Sequence, residues 1–113
     1  MIIYSVTLSL DPAIEQDWLA WMQASHIPQV MATVCFVAYR LQRILTEAEP
    51  GAITYNMQYS LQTMELYMAY QTNHAPALQA ETAARYPGQY AAFRTLLEVL
   101  AAGDSTGPQS LEV

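Results

Sequence analysis

Apolar and polar residues alternate along the first segment of the chain. Ile2, Tyr4, Val6, Leu8 and Leu10 fall on one side of an extended backbone and Ser5, Thr7 and Ser9 on the other, with Ile3 alone out of step. Successive strand side chains point to opposite faces, so this segment predicts a strand with one apolar face. Ile53, Tyr55, Met57, Tyr59 and Leu61, set against Thr54, Asn56, Gln58 and Ser60, predict a second strand of the same kind. After each strand the period lengthens to that of a helix. Ile14, Trp18, Met22 and Ser25 form one stripe at helical spacing, with Trp21 and His26 on its margins, and Leu66, Tyr70 and His74 recur four residues apart in the second segment.

Helix boundaries are written into the same stretches. Asp11-Pro12 suits a helix start, because an aspartate can accept from the free first-turn N–H groups and a proline there lacks only a donor the helix does not use. Thr63 can cap the second helix in the same way. His26-Ile-Pro28 is echoed by His74-Ala-Pro76, and since proline cannot continue helical hydrogen bonding, each helix is expected to break or kink there. Phe36-Val-Ala-Tyr39-Arg40 is echoed in turn by Tyr90-Ala-Ala-Phe93-Arg94. The chain therefore reads as two βαβ halves, 1–46 and 52–101, in a single domain over 1–101. Residues 46–52 form the turn between the halves, Pro87-Gly88 ends the second helical region, and 102–113 form a flexible tail.

Right-handed crossovers place both helical segments on one face of a four-stranded antiparallel sheet with the first and third strands central. The predicted fold class is α+β, ferredoxin-like βαββαβ. The other sheet face is expected to carry Thr7, Asn56, Gln58 and Gln42 with Phe36 and Arg40, joined by Tyr90, Arg94, Leu96 and Glu98 of the last strand. That mixture is too aromatic for open solvent, and a second copy covering it makes a dimeric α/β barrel.

Composition narrows the partners. Hydrophobic residues make up 53% of 113 residues and charged ones 12%, a balance that favours a homodimer over a small monomer. The net charge of -6 repels phosphate backbones and anionic lipid heads, so neither nucleic acid nor a membrane is an expected partner. Trp18 to Tyr39 is uncharged, yet Gln23, Ser25, His26, Pro28 and Gln29 rule it out as a span. Met1-Ile-Ile-Tyr-Ser5 has no basic lead-in of a signal peptide, and the single Cys35 cannot form an internal disulfide; both fit a cytoplasmic location.

Candidate chemistry centres on the two histidines. His26 and His74 end equivalent helical stripes, and imidazole is suited to proton transfer near neutral pH, as a cofactor-free cyclase or isomerase needs. The alternative is structural, each imidazole bonding a carbonyl freed by its proline. Trp18, Trp21, Tyr39, Tyr55, Tyr59 and Tyr70 are candidates to line a pocket for a small apolar or aromatic ligand, with core packing as the alternative. Arg40 and Arg94 occupy equivalent repeat positions and could hold a carboxylate or an enolate, unless Glu98 or a partner's acids neutralise them. No third ligand accompanies the histidines at metal spacing, so no metal and no cofactor is expected, and no nucleophile elbow, phosphate loop or dinucleotide fingerprint is present.

Trp18-x-x-Trp21-Met22-x-x-x-His26-Ile-Pro28, Cys35-Phe36, Tyr39-Arg40, His74-Ala-Pro76-Ala-Leu78 and Phe93-Arg94-Thr95-Leu-Leu-Glu98-Val99 together resemble a bacterial family defined as a domain of unknown function, over residues 2–100. More distantly the layout is similar to the dimeric α/β-barrel superfamily of antibiotic-biosynthesis monooxygenases, stress-responsive A/B-barrel proteins, small polyketide cyclases and haem-degrading monooxygenases. That resemblance implies a pocket between sheet and helices, and monooxygenase or cyclase chemistry without a cofactor. It implies haem binding only through His74, since the first strand offers Ser5 and Thr7 where the haem degraders have an asparagine, and the second helix lacks their tryptophan. The asparagine one turn before tryptophan in the quinone-forming monooxygenases is replaced by Ile14 before Trp18 and Asp17 before Trp21. A non-catalytic dimerisation or regulatory module is the remaining alternative.

Overall fold

The structure, a computed structural model, describes residues 1–46 and 49–105. Four strands, β1 (Ile2–Leu10), β2 (Ala38–Arg43), β3 (Thr54–Leu61) and β4 (Tyr90–Glu98), form one sheet in the order β2-β3-β1-β4, every neighbouring pair antiparallel. The first helical segment runs through a short 3₁₀ turn (Pro12–Ile14), α1 (Glu15–Trp21), a π-helical turn (Met22–His26) and α2 (Ile27–Met31). The second comprises α3 (Met64–Asn73) and α4 (Ala75–Arg85). This is the ferredoxin-like α+β arrangement, with β1 and β3 central.

Local chemistry sets the boundaries. Asp11 accepts from the Ala13 N–H at 2.9 Å and Thr63 from the Leu66 N–H at 3.2 Å, each satisfying a first-turn donor. Both His-x-Pro motifs interrupt their helices and then restart them, with the proline in the first turn of α2 and of α4, where its missing N–H costs nothing. The break before Pro28 is a π-helical turn ending at His26, and the break before Pro76 is a non-helical His74. Gly88, with φ of +69°, turns the chain from α4 into β4. Of the turn expected at 46–52, Glu47 and Ala48 lie outside the described residues, as do residues 106–113 of the expected tail.

The core lies between the helices and the Tyr4, Val6, Leu8, Tyr55, Met57 and Tyr59 face of the sheet, onto which Trp18, Met22, Val30 and Tyr70 pack. Register corrects the expected composition of the opposite face. Leu10 pairs with Tyr90, Val6 with Arg94, Tyr4 with Leu96 and Ile2 with Glu98, so these four β4 residues share the helix-covered side. The open side carries Ala91, Phe93, Thr95 and Leu97 instead. A shift of one residue in strand parity exchanges the two faces, and aligning Phe93-Arg94 on Tyr39-Arg40 introduces that shift. Phe36 departs differently: it precedes β2 and is buried against Tyr59 and Tyr70, with ring centroids 5.1 and 4.8 Å away. Thr7, Asn56, Gln58, Arg40 and Gln42 do share the open face, where Asn56 donates to Ser5 at 2.8 Å and to Thr7 at 3.3 Å.

Candidate functional site

A narrow pocket opens between the sheet and the helices. Its sheet wall is Tyr4, Val6, Leu8, Met57, Tyr59 and the β4 residues Tyr90, Ala92 and Arg94. Its helix wall comes from the first segment through Trp18, Met22, His26 and Val30, from α3 through Tyr70, and from α4 through Leu78, Gln79 and Thr82. The cavity measures about 60 Å³, room for a few waters; a benzene ring takes a cavity of about 150 Å³, so even one ring requires the walls to part. A molecule of drug size fills several hundred Å³, so larger ligands require the walls to part.

Three side-chain atoms in the described residues are buried without a hydrogen-bond partner: Trp18 Nε1, His26 Nδ1 and Tyr59 Oη. All three belong to residues that line this pocket. Trp18 is fully buried and Tyr59 only 3% exposed, so water at the protein surface cannot satisfy them. An indole N–H only donates, and a phenol held protonated offers its O–H as a donor. Burial keeps the Tyr59 hydroxyl protonated, reinforced by its neighbours Tyr70, Tyr4 and Tyr39. Burial likewise raises Tyr70, with Tyr4 adding and the charge of Arg94 opposing.

His26 packs tilted against Trp21 with ring centroids 5.0 Å apart. Burial lowers its pKa below the usual histidine value, against the pull of Glu81, so the ring is neutral at physiological pH. The expectation that both imidazoles bond carbonyls freed by the prolines is not met. No hydrogen bond from either ring forms among the described residues, and at His74 it is the backbone N–H that donates, to the Tyr70 carbonyl at 2.9 Å. His74 stands 6.2 Å from the Tyr70 ring, outside the pocket wall.

The remaining candidates divide. Trp18, His26, Tyr59, Tyr70 and Arg94 come together at the pocket. Trp21 backs His26 from outside it. Tyr55 is tied to Glu15 and Arg43, Tyr39 is half exposed, and Arg40 sits exposed on the open sheet face. Arg40 and Arg94 are thus not equivalent, because they lie on opposite sides of the sheet. Sequence reading missed Tyr4, whose hydroxyl accepts from Arg94 Nε at 3.0 Å, and the α4 contribution. Ala75, Leu78, Gln79 and Thr82 repeat at three and four residues, a spacing that marks the inward face of α4. No group of three potential metal ligands exists among the described residues, and none of their helices is long and apolar enough to cross a membrane.

Fold and pocket define a ferredoxin-like α+β protein of the sheet-and-helix pocket type. The chain belongs to the family described as Domain of unknown function (DUF4286), whose profile matches residues 1–100. Among solved structures it is similar to a putative antibiotic biosynthesis monooxygenase from Bacillus cereus, with 9% identity over 91% of this chain and 96% of that one and a TM-score of 0.64. It is similar to the haem degrader MhuD of Mycobacterium tuberculosis, with 18% identity over 90% and 99% and a TM-score of 0.61. A dimeric ferredoxin-like protein from an uncultured marine organism aligns with 9% identity over 92% and 99% and a TM-score of 0.61. At such identities the likeness is one of fold. No curated protein matches the sequence.

Proposed function

We propose that this chain is a cytoplasmic, homodimeric α/β-barrel protein that binds a small, largely apolar ligand between sheet and helices. The observation that carries the reading is the convergence of the three unpaired buried groups, Trp18 Nε1, His26 Nδ1 and Tyr59 Oη, on one pocket. Unpaired buried polar groups cost about 1–3 kcal/mol each, and a ligand oxygen that pairs them recovers that cost on binding. Dimerisation through the open sheet face draws support from Phe93, 64% exposed, and Leu97, 44% exposed, beside a polar Asn56 network, and from the marine neighbour described as dimeric.

The chemistry this pocket suits is proton removal without a cofactor. Neutral His26 can take a proton from an acidic carbon of the ligand, the electron pair moving onto an adjacent carbonyl oxygen. Trp18 and Tyr59 can donate to the enolate so formed. Such a carbanion equivalent closes a ring on a carbonyl in a cyclase or meets dioxygen in a cofactor-independent monooxygenase. Haem binding through His74 is a second reading, favoured by MhuD, which is described with two hemes bound in its active site. A non-catalytic module is the third, favoured by the small volume of the cavity.

Native mass spectrometry of the purified protein separates these readings. A dimer retaining a discrete low-mass adduct is expected. A haem mass, with a Soret band that His74→Ala abolishes, transfers the assignment to the second reading; a clean dimer that also fails to bind small aromatic probes transfers it to the third.

A further inference from the structure

The pocket has a charge character that the protein as a whole does not. Ten acidic residues outnumber four basic ones in the sequence, yet no carboxylate lines the pocket. The four cations are all arginines. Arg43 is joined to Glu15 and Tyr55, and Arg85 to Asp17 and Tyr86. Arg94 makes no ion pair among the described residues; its Nε donates to the Tyr4 hydroxyl, which fixes the plane of the guanidinium at the pocket. Arg40 likewise makes no ion pair among the described residues but lies exposed on the open sheet face, so Arg94 is the unpaired guanidinium that lines the pocket.

Depth orders these groups. Arg94 is exposed, so it stands at the mouth, while Trp18 on the helix wall and Tyr59 on the sheet wall are buried. The rings of Tyr4 and Tyr70, tilted against each other with centroids 5.9 Å apart, belong to the same lining. A cation at the entrance, aromatic walls and the buried donors Trp18 Nε1–H and Tyr59 O–H favour a ligand that brings acceptors, while the phenol oxygens, the neutral ring of His26 and the side chains of Gln79 and Thr82 can accept as well. A guanidinium meets a carboxylate with paired N–H groups, a geometry no neutral ligand uses as well.

We propose that the ligand is a small aromatic anion, its ring held among the tyrosines and its carboxylate or phenolate oxygens met by Arg94. This rests on the ligand-binding reading above and deepens it by naming the class of molecule. The overall charge of the protein repels anions at long range, so selection falls to the local contact and weakens as salt rises.

Three aromatic probes of similar size test it: benzoate, benzamide and benzylammonium, titrated into the purified protein at low salt and followed by amide chemical shifts. The expected order is benzoate first by about tenfold over benzamide, the equivalent of one charge-assisted contact, with benzylammonium weakest. Arg94→Gln should bring benzoate down to the level of benzamide while leaving benzamide in place, and Arg94→Lys should keep part of the preference. Equal binding of all three probes, preference for the cation, or a benzoate preference that survives Arg94→Gln overturns the anion assignment and leaves the pocket reading standing. Binding of none of them overturns both.

Discussion

Two groups of tyrosines in this protein meet opposite fates. Along α1, Tyr55 donates to Glu15 at 2.7 Å and accepts from Arg43 Nη2 at 3.0 Å, while Tyr86 donates to Asp17 at 2.6 Å and accepts from Arg85 Nε at 3.0 Å. Each phenol bridges a carboxylate and a guanidinium, and the two bridges clamp α1 against β3 and the end of α4. Across the pocket, Tyr59 is as deeply buried as either and its hydroxyl has no partner. The chain supplies complete polar networks where they hold elements together. Leaving Tyr59, Trp18 and His26 unpaired at one cavity is then a property of that cavity, and it is the observation on which the proposed ligand site rests.

The largest effect tests whether the pocket wall is also the core. Trp18 is fully buried, its ring tilted against Tyr55 with centroids 5.1 Å apart, so Trp18→Ala should lower stability by about 3–5 kcal/mol in chemical denaturation, lost volume outweighing removal of the unpaired N–H. A change below about 1 kcal/mol would mean that the unpaired side of the molecule is independent of its packing. On the paired side, Tyr55→Phe breaks charge-assisted bonds to Glu15 and Arg43 and should cost about 1–2 kcal/mol.

Acid sharpens the contrast through His26. Burial places its folded-state pKa below the usual 6.5, so between the two values the unfolded chain binds the extra proton. Stability should therefore rise with pH through that window and level off above about 6.5, the destabilisation appearing only on the acid side. Thermal melts of His26→Gln should lack this part of the acid slope; an unchanged slope would show that the ring is not desolvated at the pocket.

Much of the frame was legible in the residues. The alternation of β1 and β3, the Asp11 and Thr63 caps and the two proline breaks follow from local steric and hydrogen-bonding rules, and they suffice for strand order. The last strand resisted, because the apparent repeat of Tyr39-Arg40 in Phe93-Arg94 carries no information on parity. The pairing of Tyr90 with Leu10 sets it, and that placed Arg94 at the pocket. At the site, His26 on the margin of its stripe lines the pocket and His74 does not: similar sequence produced similar helix breaks but only one ring in the pocket wall. Which tyrosines are paired could not be read at all, since the bond from Tyr55 to Glu15 joins residues far apart in the chain.

The sign of the stability change in Tyr59→Phe tests the central claim most directly. If the Tyr59 hydroxyl is buried without a partner until a ligand arrives, its removal from the ligand-free protein should raise stability by about 1 kcal/mol in thermal or urea unfolding, in the direction opposite to Tyr55→Phe. A loss of stability as large as that of Tyr55→Phe would contradict the account, because the hydroxyl would then already be paired within the protein and the pocket would have no unmet bonding to offer.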